Sequence, residues 1–199
     1  MNILIVSQYF WPENFKINDL AEELSSRGHK VTVLTGIPNY PNGRFYEGYT
    51  LFKKRRESHS EIDIIRSPII SRGNGSSIRL AFNYISFVLG SIFSMPTVLK
   101  NNYDLIFVFE VSPITVCLPA ILIKKIKKIP ICLWVLDLWP ESITAASNIK
   151  SKNIGKIITP LVKYIYHNTD NILVSSRGFI NSIIQKGIDK NKIQFFPQW

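Results

Sequence analysis

The sequence predicts an α/β protein built on a doubly wound, mostly parallel sheet of Rossmann-like type. Three observations predict it. Short apolar runs rich in Ile, Val, Leu and Phe recur from Ile3 to Phe196 without polar alternation, as expected of strands buried on both faces. Between them lie segments with apolar residues at helical spacing. Strand-like and helix-like segments alternate along the whole chain, and a crossover helix between neighbouring strands makes a sheet parallel.

Ile3–Val6 is the first such strand, and Ser7–Asn14 is a loop rich in aromatics. From Asn14, the residues Phe15, Ile17, Leu20, Ala21 and Leu24 mark a helix with Glu22 and Glu23 on its wet face; Gly28 stops it. Val31–Leu34 is the next strand. The first loop lacks the glycines that let a pyrophosphate approach the backbone, which argues against a nicotinamide or flavin enzyme. Residues 36–49 hold Gly, Pro, Asn and Tyr in turn-forming order and read as an exposed binding loop. Lys53, Lys54, Arg55 and Arg56 follow, either a solvated face or a patch for an anion.

Ile62–Ile65 reads as a strand. Leu80–Leu99 carries no charge. Arg79, Asn83, Ser86, Gly90, Ser94 and Thr97 make one polar or small stripe, and Phe82, Ile85, Leu89, Ile92 and Phe93 an opposite apolar arc. Three placements of the arc stay open: against the sheet, in a membrane interface, or across a bilayer. Asp104–Phe109 is a strand ending at Glu110, and Pro113 can open a helix that closes on Lys124, Lys125, Lys127 and Lys128. Those lysines also suit an anionic surface. Ile131–Leu136 is a buried strand that ends in Asp137, Trp139, Pro140 and Glu141. Acidic and aromatic residues at the carboxyl end of such a strand suggest a polar, ring-shaped ligand. Ile154–His167 reads as a helix interrupted by Pro160, and Asn171–Val174 as a strand. Ser175 or Ser176 then caps a helix that Gly187 stops, and Lys192–Phe196 is a last strand.

The net charge of +10 favours an anionic partner. Nucleic acid fits poorly, because the basic runs lack interleaved stacking aromatics and no nucleic-acid motif is present. Cys117 and Cys132 sit in apolar runs without metal-ligand spacing, so buried free thiols and no metal site are expected. The N-terminus shows no signal-peptide pattern, which suggests a cytoplasmic protein.

Taken together, several segments resemble the N-terminal domain of the retaining, nucleotide-sugar-dependent glycosyltransferases of family 4, which have the two-domain GT-B fold. They are Ile3–Glu13, Leu20–Leu24 leading into Arg27–Val33, Leu136–Glu141 and Lys192–Pro197. The Gly36–Pro41 loop is similar to that of the L-fucosamine or colanic-acid transferases of O-antigen and capsule clusters. Two departures stand out: Asn14-Phe15 replaces a frequent Gly-Gly pair, and Leu136 a frequent His.

The resemblance implies an acceptor-binding domain over residues 1–196, the start of an interdomain linker at 197–199, and a donor-binding C-terminal domain outside this chain. Alone, the chain is then expected to be inactive. The implied enzyme transfers a hexosyl or N-acetylaminosugar from a UDP-sugar to a polyprenyl-diphosphate-linked saccharide, peripheral to the inner membrane and without a further cofactor. Asp137 would orient or deprotonate the acceptor hydroxyl, with Glu141 as second choice. Tyr9, Trp11, Glu13, Asn14, Asn39, Tyr40, Glu110, Trp139 and Ser175 would line the cleft. Lys53, Lys54, Arg55, Arg56, Arg79, Phe82, Lys124, Lys125, Lys127 and Lys128 would face the anionic membrane. The alternative is a non-catalytic module binding a membrane surface or a polysaccharide.

Overall fold

The computed structural model describes residues 1–142 and 152–198. Eight strands form one sheet: β1 (Asn2–Val6), β2 (Lys30–Gly36), β3 (Arg56–His59), β4 (Ile62–Ser67), β5 (Leu105–Glu110), β6 (Ile131–Val135), β7 (Asn171–Val174) and β8 (Ile193–Phe195). Their order is β3-β4-β2-β1-β5-β6-β7-β8, and every pair is parallel except β3 with β4. The helices are α1 (Lys16–Ser26), α2 (Ser77–Val98), α3 (Cys117–Lys127), α4 (Lys152–His167) and α5 (Gly178–Gln185).

The pleat divides the core in two. Ile3 and Ile5 point to one face, where Val31, Val33, Phe107, Phe109 and Trp134 join Ile17 and Ala21 of α1. Leu4 and Val6 point to the other, with Leu34, Ile106, Val108, Leu133 and Val135 under the remaining helices. Trp134, fully buried, donates its indole N–H to the Phe196 carbonyl at 3.1 Å and packs edge-on against Phe107, Phe109 and Phe196. Phe196, just past β8, is thereby tied to β6.

The edge strand β3 is not legible as a strand, because its residues Arg-Glu-Ser-His have no apolar alternation. Arg66 of β4 explains why it is there. This arginine is fully buried, and its guanidinium holds Glu57 of β3 together with the carbonyls of Trp11 (2.7 Å) and Gly36 (3.3 Å). A buried cation needs such partners. The run Lys53–Arg56 therefore splits: Lys53, Lys54 and Arg56 are exposed, while Arg55 bonds Ser94 Oγ at 3.1 Å and lies over the Phe93 ring.

The orientation of α2 is the main surprise of the fold. The stripe facing the protein includes the polar and small one: Asn83, Gly90, Ser91 and Ser94 are buried, beside the apolar Phe87, Met95 and Val98. Asn83 Oδ1 accepts from Gln8 Nε2 at 2.7 Å, Ser91 and Ser67 hydroxyls meet at 3.1 Å, and a Cβ on Gly90 would lie 2.0 Å from the Pro68 carbonyl oxygen. Only a small face lets the helix approach that closely. Burial of the apolar arc against the sheet is therefore corrected: from Leu80 to Val98 every exposed residue is apolar, namely Ala81, Phe82, Ile85, Leu89, Ile92, Phe93 and Pro96.

Candidate functional site

In the sheet order the chain reverses its direction of winding between β1 and β5. Open parallel sheets bind ligands beyond the carboxyl ends of their strands at such a switch point. The residues singled out in the sequence fall into two groups on either side of it.

The first wall is built by the loop after β1. Glu13 is buried, and its Oε1 accepts the backbone N–H groups of Asn39 and Tyr40, each at 2.7 Å. Its Oε2 is buried without a hydrogen-bond partner, and burial pushes the carboxyl up to about 7 although those N–H groups resist the shift. Asn39 is likewise buried, its Nδ2 donating to the Ile37 carbonyl and its Oδ1 accepting the Arg72 N–H at 3.0 Å. Glu13 and Asn39, expected to line the cleft, instead pin its loops together from beneath. Tyr9, expected in the cleft lining, is buried as well; it stacks on Phe15 at 5.0 Å, and the exposed Tyr40 packs against both. Arg72 lies over Tyr9 and Tyr40 and bonds the Tyr9 hydroxyl, while burial raises the phenol beyond its usual range. Trp11 stacks on His59 at 4.0 Å, and Asn14 is exposed. The loop beyond is held by Gly43, whose backbone has positive φ and would place a Cβ 1.8 Å from the Gly73 carbonyl oxygen.

The second wall follows β5, β6 and β7. Glu110, the last residue of β5, is fully buried with both carboxyl oxygens lacking a hydrogen-bond partner. Burial, and then the like charge of Asp137, pushes it well above the usual carboxylate range. Glu110, expected to line the cleft, is thus a fully buried carboxyl at the end of β5. Asp137 lies just past the end of β6 and is partly exposed. Burial raises its carboxyl too, and the Ser112 hydroxyl offsets part of that. Glu141 differs. Its Oε1 accepts from Lys186 Nζ at 2.6 Å and from Ser182 Oγ at 2.7 Å, and against the opposing effect of burial these bonds hold it below the usual range. Trp139 is partly buried against the core, and the Ser175 N–H donates to the Val135 carbonyl at 3.2 Å.

Sequence reasoning missed Arg66, Arg72, Ser112, Ser182 and Lys186. Of these only Arg66 carried a local signal, as a charge within an apolar strand. The others act through contacts across the chain. The lysines at the end of α3 also serve the fold. Lys124 bonds Asp170 at 2.6 Å and the Asn168 carbonyl at 3.0 Å, Lys125 bonds the Tyr164 hydroxyl at 2.9 Å, and Lys127 bonds Asn102 at 3.3 Å. Lys128 takes the left-handed conformation that ends the helix. Arg79 donates to the Ser71 carbonyl at 2.9 Å. Among the described residues no group of three or more His, Cys, Asp or Glu could hold a metal ion.

A doubly wound, mostly parallel sheet with acidic and aromatic residues gathered after the strands beside its switch point defines an α/β domain of Rossmann-like type. Residues 17–198 match the family described as Glycosyltransferase Family 4, and the chain belongs to that family. It is 26% identical to a protein of Escherichia coli strain K12 named as a colanic acid biosynthesis glycosyl transferase, WcaI. That match covers all of this chain and 50% of the relative, so the chain spans about half of the relative's length. Among solved structures, Anabaena Alr3699/HepE in complex with UDP superposes with a TM-score of 0.56 at 13% identity, over 99% of this chain and 44% of that one. The lipopolysaccharide outer core galactosyltransferase WaaB does so with a TM-score of 0.51 at 14% identity, over 98% and 45%. These likenesses show the fold, that of half a GT-B glycosyltransferase.

Proposed function

We propose that this chain is the acceptor-binding half of a retaining glycosyltransferase in surface-polysaccharide synthesis. The donor is a UDP-sugar, with L-FucNAc as the candidate sugar, held mainly by a second domain beyond residues 197–199. The acceptor is a saccharide on polyprenyl diphosphate, met by a cytoplasmic protein peripheral to the inner membrane. Family membership, the WcaI name and the UDP complex of HepE support the reaction class. The reading of O-antigen or capsule as the product rests on the similarity of the Gly36–Pro41 loop.

The observation that carries the mechanism is the unequal environment of the two candidate carboxylates. Glu141 is occupied by Lys186 and Ser182, whereas Asp137 stands partly exposed just past the end of β6 with its proton affinity raised. A general base works best when its proton affinity is raised toward the operating pH. Asp137 therefore takes or orients the acceptor hydroxyl proton. The exposed Tyr40 and the partly exposed Arg72 offer a ring face and a cation to the sugars and diphosphate.

Calorimetry of this chain with a short-chain polyprenyl-diphosphate disaccharide tests the reading. Binding is expected, weaker when the sugar is removed and without turnover on addition of a UDP-sugar. Equal binding of sugar-free polyprenyl diphosphate would remove the acceptor site. Turnover by this chain alone would remove the division of labour between two domains.

A further inference from the structure

The stripe that α2 turns outward is too regular and too apolar to be an ordinary solvent face. Ile78, Phe82, Ile85, Leu89 and Ile92 follow one another at alternating steps of four and three, and Phe93 widens the row. Each is between 46% and 73% exposed. The row runs for about 22 Å of helix. Contiguous exposed apolar surface of this extent marks an interaction site.

Charge on the page decides the partner. From Ile64 to Tyr103 the chain has no acidic residue, and Gly48–Arg56 has none either. Beside the C-terminal half of α2 stands the turn Leu51–Arg56, joined to it where Arg55 bonds Ser94 and covers Phe93. Phe52 at its tip is 89% exposed and is followed by the exposed Lys53, Lys54 and Arg56, with exposed Lys100 just past the helix end. A second copy of the chain would set this cationic rim against itself. An apolar stripe flanked by lysine and arginine is the pattern of a helix lying in an anionic lipid interface.

The fold also fixes the manner of contact. By length and composition α2 could cross a bilayer. Yet it is the crossover between β4 and β5, two strands of one sheet, and its polar stripe is bonded to Gln8, Ser67 and Arg55. Crossing would unpair those strands.

We infer that α2 and the Leu51–Arg56 turn together form a docking surface for an anionic bilayer, with α2 lying in the plane of the interface. The N-terminal half of this surface adjoins the crevice. Asn83 holds Gln8 of the first wall and the Ile70 carbonyl, and Arg79 holds Ser71, next to the Arg72 that covers Tyr9. A lipid-borne acceptor then reaches the crevice along the membrane surface. This last step rests on the acceptor reading above; the docking does not.

Co-sedimentation with vesicles tests it. The chain binds vesicles of phosphatidylglycerol and phosphatidylcholine, and binds pure phosphatidylcholine about tenfold or more weakly. Leu89→Glu and Phe82→Glu each lower binding by about tenfold, Phe52→Glu lowers it less, and all three leave thermal unfolding unchanged. Binding that survives both helix substitutions would overturn the proposal in favour of a merely basic surface. A dimer in sedimentation velocity that Leu89→Glu dissociates, with no vesicle binding, would overturn it in favour of a second copy. Docking that is intact but indifferent to added polyprenyl-diphosphate disaccharide would leave the surface standing and remove the acceptor link.

Discussion

Helices α1 and α2 lie on opposite faces of the same sheet and solve the same packing problem in opposite ways. α1 buries Ile17 and Ala21 and turns Glu22 and Glu23 to water. α2 buries Asn83, Ser91 and Ser94 and turns Phe82, Leu89 and Phe93 outward. The first derives its place from apolar burial, the second from close approach and hydrogen bonds added to the burial of Phe87, Met95 and Val98. Periodicity alone reports that each helix has two faces. It does not report which face is inside.

The largest effect expected from this contrast is in α1. Ile17→Ala should cost about 2–5 kcal/mol of stability in urea unfolding, since it removes a fully buried side chain. Leu89→Ala, an equal loss of bulk in α2, is its mirror.

Gly90→Ala comes next. A Cβ there meets the Pro68 carbonyl, so α2 must lift from β4, and a loss of about 1–3 kcal/mol is expected by the same measurement. An unchanged midpoint would mean that close approach does not hold the helix.

A third difference lies in what each region buries. The polar groups of α2 are neutral, whereas the loop entering α1 buries the ionisable Glu13. Its folded-state value of about 7 exceeds the ordinary 4.5, so its favourable contribution is complete below 4.5 and is lost as pH rises through 7. Glu13→Gln should match the wild type in acid and exceed it in stability above pH 7, by about 1–3 kcal/mol at most. Parallel pH–stability curves for the two proteins would contradict that account. Leu89→Ala closes the series, with a change of about 0.5 kcal/mol or less.

Much of the fold is legible in the sequence. β1, β2, β4, β5, β6 and β7 are apolar runs, and their termini lie within two residues of the expected ones. α1 begins at Lys16 rather than Asn14, and β3 was missed because a polar edge strand carries no local pattern. Residues 143–151, after Ser142, lie outside the described residues. The site was legible as a set of loops, since Gly, Pro and aromatic residues crowd the carboxyl ends of strands. The roles within it were not. Glu13, Asn39 and Glu110 look like lining residues and lie beneath the surface, because depth depends on neighbours far along the chain. Glu141 looks like a rival to Asp137 in the sequence, but Lys186, just past the end of α5, is bonded to it.

The central claim concerns Asp137. The most direct measurement is the transfer rate, with saturating UDP-sugar and lipid-linked acceptor, of a two-domain protein containing these residues, as wild type, Asp137→Asn and Glu141→Gln. Asp137→Asn is expected to lower kcat by about 10²–10⁴-fold and to abolish the rise of rate with pH through the raised Asp137 range. Glu141→Gln, which loosens an ion pair with Lys186, is expected to change kcat far less. Near wild-type turnover in Asp137→Asn would contradict the account.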